Sequence, residues 1–141
     1  MWSAMGQRGA ASVEFAILIG PMLLLIFGVI EFGRFFWAAN ALEQIATRTV
    51  RCMGVRQASC SAGGAYSQSA SLAFAKDLAQ GYAITLPDSA VTLSNAGVCA
   101  GISGFSTATI SYSFTTMVPK LIPALAARGP LTATACFPNQ S

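Results

Sequence analysis

The residue types that most often catalyse reactions are scarce in this sequence. It contains no histidine and only five acidic residues. This excludes a Ser/His/Asp triad, a Cys/His pair and any histidine metal site. Asp77 and Asp88 lie in segments that we interpret as unrelated, so a carboxylate pair for acid–base catalysis is not favoured. We therefore expect that the protein is not an enzyme, and we predict no catalytic residue, no cofactor and no metal ion.

Cysteine is the remaining reactive residue type, with four copies at Cys52, Cys60, Cys99 and Cys136. No pair has the short C-x₂₋₄-C spacing of a zinc site. An even number in a small domain favours disulfides formed outside the cytoplasm, and the alternative is four free thiols buried in a cytosolic domain. Three connectivities are possible, and the sequence does not choose among them. Our preferred pairing joins Cys52 to Cys60 across a local loop and Cys99 to Cys136 between two strands.

Glu14 stands directly before an apolar run. The run from Phe15 to Ile30 has 16 residues, or about 24 Å of helix, which is shorter than a hydrocarbon core of about 30 Å. A span that starts at Ala10 has 21 residues and is long enough, but it brings Glu14 into the apolar zone. A carboxylate there is costly, so it needs a partner unless its side chain reaches the interface alone.

The elements around these residues follow from changes of hydrophobic period. Apolar residues recur at steps of three and four beyond the apolar run, which predicts one long helix with an amphipathic second half. Towards the C-terminus the period becomes two, which predicts antiparallel strands. The predicted domains are a leader at residues 1–9, a transmembrane helix at 10–31, its amphipathic continuation at 32–55 and an extracytoplasmic domain at 56–141. Within the last, we predict a loop at 58–64, a helix at 66–82, strands at 91–93, 107–115 and 131–137, and a loop or broken helix at 117–130. The fold class is α+β, with a long N-terminal helix, a second helix and a sheet of about three strands in a pilin-like arrangement.

Four segments together resemble the TadE-like family of minor pseudopilins from Tad (Flp, type IVc) pilus systems. They are residues 8–16, 21–28, 30–34 and 41–51. The resemblance implies that a prepilin peptidase of the bacterial inner membrane cleaves after Gly9. Ala10 then becomes the first residue and Glu14 the fifth, and the new α-amine of one subunit can pair with Glu14 of its neighbour in a filament. Major Flp subunits typically carry tyrosine where this chain has Phe15 and lack a globular domain, which favours a minor subunit.

The implied partners are the peptidase, other pilins of the filament, the inner-membrane assembly platform and the lipid bilayer. Nucleic acid is not expected, because the net charge of +3 is weak and dispersed. The resemblance also predicts a single-pass inner-membrane protein with a periplasmic C-terminal domain that can enter the extracellular pilus.

Two observations leave alternatives open. Counting cationic residues on each side of the apolar run places the C-terminal domain in the cytoplasm. We expect the periplasm instead, because of the cysteines and the pilin-like start. Ala39-Asn40-Ala41 also fits the cleavage site of a secretory signal peptide.

A second functional class is a permanently anchored periplasmic binding or scaffold protein that is never cleaved. Glu31 and Arg34 are expected to pair on the helix surface.

Overall fold

The computed structural model describes residues 6–116 and 129–140 and confirms the α+β class. The helices are α1 (Gly6–Gly54) and α2 (Gln68–Gly81), and the strands are β1 (Ser61–Ala62), β2 (Ala65–Tyr66), β3 (Val91–Cys99), β4 (Ile102–Tyr112) and β5 (Leu131–Pro138). Single 3₁₀ turns lie at Ala58–Cys60 and Asp88–Ala90. The chain divides into two compact units, Met1–Phe35 (the N-terminal unit) and Phe36–Ser141 (the C-terminal unit).

The described part of the N-terminal unit is helical and belongs to α1. Large apolar side chains point outward along it, such as Phe15 at 66% and Leu25 at 67% exposure. Pro21 lies inside the helix, as membrane helices tolerate better than soluble ones. The residue at which α1 leaves the hydrocarbon core, expected near residue 31, stays a prediction.

The C-terminal unit is built around the second half of α1. Leu42 and Ile45 are buried there together with Ile110 of β4, and they form one core with the inner face of α2. The spacing of three and four residues therefore marked the buried face of α1 correctly from residue 38 onward. Phe32 departs from this pattern, because its side chain is 53% exposed. The spacing of three and four residues predicts Phe32 on the same buried face of α1 as Leu42, and this prediction was wrong.

The main sheet is antiparallel, with the strand order β3-β4-β5. Val91, Ile110 and Ala133 stand opposite one another on the buried face. The next row on the other face consists of three threonines, Thr92, Thr109 and Thr134. Alternation between apolar and hydroxyl side chains thus predicted a sheet that is covered on one side.

Two of the predicted strands have the wrong bounds. β3 does not end at residue 93 but continues to Cys99, and β4 begins at Ile102 rather than at residue 107. A tight turn joins them, with positive φ angles at Ala100 and Gly101. A register shift near Gly97 interrupts the alternation of β3. The alternation of apolar and polar residues in the sequence therefore stops before β3 ends.

Further differences concern short elements. The predicted loop at 58–64 contains a 3₁₀ turn and leads into the small hairpin β1–β2, whose turn has positive φ at Gly63 and Gly64. The second helix is confirmed within two residues of its predicted ends, and its N-cap is Ser67. Most of the predicted loop at 117–130 lies outside the described residues.

The C-terminal residues tie the hairpin β3–β4 to the last turn of α1. The Asn139 backbone N–H donates to the Gly104 carbonyl at 3.0 Å, and the Gln140 N–H donates to the Gly54 carbonyl at 2.9 Å. The Asn139 side-chain amide also donates to the Asn95 carbonyl at 2.7 Å. These bonds lie beside Gly54, the last residue of α1, which is 17 residues further along the helix than Trp37.

Candidate functional site

The exposed apolar surface of α1 is the first candidate site. None of its most apolar 18-residue window is buried within the chain, and the helix is long and apolar enough to cross a membrane. The core helix of a soluble domain would be mostly buried, which this window is not, whereas a signal sequence near the N-terminus passes the same test. Contact of such an apolar surface with water is unfavourable, so α1 is consistent with a single-pass membrane anchor.

Two carboxylates flank the apolar run, and they differ in burial and in ion pairing. Glu31 is only 3% exposed. Its Oε2 accepts a hydrogen bond of 3.0 Å from Arg34 Nη1, one turn further along α1. The expected ion pair at this end is therefore confirmed. An ion pair that is partly removed from water neutralises its own charge and costs less in an apolar layer than a lone carboxylate.

Glu14 has no such ion pair with a described residue. It lies on the exposed surface of α1 between Val13 at 59% and Phe15 at 66% exposure. No hydrogen bond or ion pair joins Glu14 to the residues that the structure describes. Within the described part of the chain, Glu14 is therefore a carboxylate without a partner on a largely apolar surface of α1.

Gly9 and Ala10, the predicted processing site, lie in the first turns of α1. Gly9 is exposed, and a Cβ atom built on it meets nothing within 4 Å. The chain therefore leaves the backbone around Gly9 open on that side. Cleavage at this bond stays a prediction.

All four cysteines form disulfides. Cys52, in the last turn of α1, is joined to Cys60 with a Cα–Cα distance of 5.8 Å. Cys99 at the end of β3 is joined to Cys136 of β5 with a Cα–Cα distance of 6.4 Å. This is the pairing preferred from the sequence. The first bridge fixes the segment after α1, and the second ties the outer strands of the sheet together.

Sequence reasoning missed one arrangement of exposed aromatic residues. The rings of Trp37 on α1 and Tyr82, the C-cap of α2, lie 6.2 Å apart between centroids at an interplanar angle of 61°. They line a small open cavity of about 70 Å³. The aromatic run that contains Trp37 was recognisable in the sequence, but only the fold could bring Tyr82 to it.

A larger cavity in the C-terminal unit offers no comparable chemistry. Its volume is about 370 Å³, and its described lining includes Thr85, Ser89 and Ser111 but no carboxylate and no basic side chain. Hydroxyl groups without an adjacent base are poor nucleophiles. Nothing in this lining supports a catalytic role for the cavity.

These features define a class of protein: a pilin-like chain with an N-terminal helix consistent with single-pass membrane anchoring and a small disulfide-containing α+β domain. A family model described as TadE-like protein matches residues 9–51, so this segment of the chain is similar to the TadE-like family. The family is associated with Tad pili and is generally structural rather than enzymatic. No curated protein and no solved structure matches the chain.

Proposed function

We propose that this protein is a minor pseudopilin of a Tad (Flp, type IVc) pilus that takes part in assembly, initiation or tip formation. One observation carries the proposal. Of the two carboxylates beside the apolar run, Glu31 is paired with Arg34, whereas Glu14 has no partner among the described residues. A lone carboxylate on a membrane helix calls for a partner from another molecule.

The partner proposed for Glu14 is the α-amine of a neighbouring subunit. Cleavage after Gly9 by a prepilin peptidase creates this amine at Ala10. The amine carries a positive charge over most of its population at neutral pH, because the α-amino pKa is about 7.7–8.0. Its pairing with Glu14 offsets the cost of the charge while the exposed apolar surface of α1 packs against other helices.

The proposed location is the bacterial inner membrane, with the C-terminal unit in the periplasm and entry into the extracellular pilus on assembly. The two disulfides support this orientation, because structural disulfides persist in oxidising compartments. The cationic residues that follow the apolar run favour the opposite orientation. We give the disulfides more weight, since the charge rule is a bias and cytosolic disulfides are rare.

A second function, the uncleaved membrane-anchored scaffold, is favoured by one observation. α1 begins at Gly6 and is helical across the Gly9–Ala10 bond. A peptidase must open this turn before it can cut, since helical backbone groups bond to each other. The cost is modest, because a glycine in a helix is already about 1 kcal/mol less favourable than alanine.

The intact mass of the membrane-purified protein, with and without the prepilin peptidase, separates the two functions. The pseudopilin proposal predicts a chain that starts at Ala10 only when the peptidase is present. Gly9→Val should block this cleavage, whereas Gly28→Val should not, and a Cβ meets no atom within 4 Å at either glycine. A wild-type chain that keeps residues 1–9 in both strains would reject processing and favour the scaffold.

A further inference from the structure

The aromatic pair of Trp37 and Tyr82 lies where the chain enters the C-terminal unit. Trp37 is the second residue of this unit, and its side chain is 62% exposed. Tyr82 comes from the end of α2, 45 positions later in the sequence. The fold thus places an indole and a phenol side by side next to the residue at which α1 passes from one unit to the other.

The residues that line the cavity beside this pair carry no charge. Trp37, Asn40, Ala41, Gln44 and Tyr82 line the cavity of about 70 Å³. We call these five residues the Trp37–Tyr82 patch. Indole and phenol groups have an apolar body and a polar tip, which is why they concentrate at the interface between a membrane and water. The patch therefore suits a layer that is partly apolar and partly hydrated.

The position of Trp37 along α1 agrees with such a layer. A hydrocarbon core of about 30 Å accommodates about 20 helical residues, so a core that begins at Phe15 ends near Arg34. Trp37 follows three residues later, about 4.5 Å further along the helix. The headgroup layer on each side of the core is about 5–7 Å thick. Trp37 then falls within this layer.

We propose that the Trp37–Tyr82 patch docks the C-terminal unit on the glycerophospholipid headgroup layer of the bilayer that holds α1. This inference rests on the proposed membrane anchoring and adds α2 to the membrane contact. The occupant is a phospholipid rather than a second protein chain, because Trp37 follows the apolar run within the same helix α1 and the patch combines apolar bodies with polar tips. Since the patch is uncharged, its contact with lipid should not depend on salt.

The experiment places a single tryptophan on α2. The chain has two tryptophans, Trp2 and Trp37, so full-length protein with Trp2→Phe, Trp37→Phe and Tyr82→Trp reports from the end of α2 alone. It is reconstituted into phosphatidylethanolamine and phosphatidylglycerol vesicles. The quenchers are lipids that carry a nitroxide on the headgroup or deep in the acyl chain. Ile102→Trp in the same background is the matched control, because Ile102 is 62% exposed on the hairpin that is tied to the far end of α1.

We expect the headgroup nitroxide to quench the Tyr82→Trp reporter more strongly than the deep nitroxide does, at low and at high salt. The Ile102→Trp control should keep its emission. Trp37 itself, in a chain with only Trp2→Phe, provides a second measurement that leaves the patch unchanged, and it should show the same preference for the headgroup nitroxide.

Vesicle flotation distinguishes the two ways in which the inference can fail. If the protein floats with the vesicles but the Tyr82→Trp reporter is not quenched, membrane anchoring stands and docking of the patch is rejected. A reporter with blue-shifted emission but no quenching means that another protein chain covers the patch, which also rejects the inference. Protein that does not float at all rejects the anchoring and the docking together.

Discussion

Replacing Glu14 by glutamine is the most direct test of the assembly mechanism. Glu14→Gln removes the charge but keeps the size and the hydrogen-bonding capacity of the side chain. Glu14 is exposed and has no partner among the described residues, so the change should not disturb the fold of the free subunit. Any effect therefore reports on the membrane or on a neighbouring chain.

Glu14→Gln should have opposite effects on membrane insertion and on incorporation into a filament. A charged side chain at the centre of a membrane helix costs about 2.5–3.5 kcal/mol on insertion scales, and Glu14 lies near one end of the span, where the cost is smaller. Insertion of the Glu14→Gln subunit should therefore be unchanged or slightly more favourable. In the filament, removing one member of a buried charge pair costs about 2–5 kcal/mol. This corresponds to roughly a 30-fold or greater loss in the equilibrium for incorporation.

The assay compares the membrane fraction with the sheared pilus fraction in cells that express either variant. Glu14→Gln should be present at the wild-type level in membranes and depleted in pili and in crosslinks to other pilins. Glu43→Gln is the matched control, because Glu43 is an exposed carboxylate on the C-terminal half of the same helix. If Glu14→Gln enters pili as well as the control does, the proposed role of this carboxylate is refuted. Loss of Glu14→Gln from membranes would assign Glu14 to insertion instead.

Three further predictions concern the C-terminal unit. Gly54→Ala should destabilise it by about 1–3 kcal/mol, because a Cβ there would lie 2.5 Å from an aromatic carbon of β5. Gly81→Ala, at the end of α2 with open space around it, should be neutral or stabilising. Denaturant titration of both variants measures the difference. Burial raises the pKa of Tyr66, whose hydroxyl has no hydrogen-bond partner within the described chain. The folded state thus favours the neutral phenol, so the free energy of unfolding should fall as the pH rises above about 10. In the Tyr66→Phe protein, the contribution of this phenol to the fall should be absent. Replacing Cys99 and Cys136 by serine should cost about 4 kcal/mol on a chain-entropy estimate for a separation of 37 residues, measured by thermal unfolding.

The parts of the fold that the sequence predicted are those with a sustained period. Leu42, Ile45 and Met53 follow helical spacing and are buried, because a long helix repeats the same geometry over many residues. The threonines of β4 and β5 alternate with buried apolar residues for the same reason. A few misplaced residues cannot hide a pattern of this length.

The parts that the sequence did not predict depend on contacts between distant residues. β3 continues past its apolar start because it pairs with β4, and Gly97 is required at its register shift, where a Cβ would lie 2.8 Å from the hydroxyl oxygen of Thr107. The contact between Trp37 and Tyr82 joins two helices. Neither arrangement leaves a local signal, since each is decided by the packing of segments that are far apart in the chain.

The length of the apolar run decides which carboxylate enters the membrane. The run from Phe15 to Ile30 is about 6 Å too short for a hydrocarbon core of about 30 Å, so the span must extend at one end. Extension towards the C-terminus takes in Glu31 together with Arg34, whose charges lie 3.0 Å apart, whereas extension towards the N-terminus takes in Glu14 alone. Because a paired ion costs less than a lone one, we expect the free subunit to extend past Glu31 and to keep Glu14 at the membrane boundary.

The predicted span of residues 10–31 would then apply to the proposed assembled subunit, in which a neighbour's amine would compensate Glu14. This reasoning makes a final prediction about depth. Glu14→Gln removes the charge that opposes extension towards the N-terminus, so the free variant should shift along its axis and move Trp37 away from the hydrocarbon core. In vesicles, with Trp2→Phe in both chains, the deep nitroxide should quench Trp37 less in the Glu14→Gln protein than in the protein that keeps Glu14. Equal quenching in both would show that the lone carboxylate does not set the position of α1, and the argument from the length of the apolar run would fail.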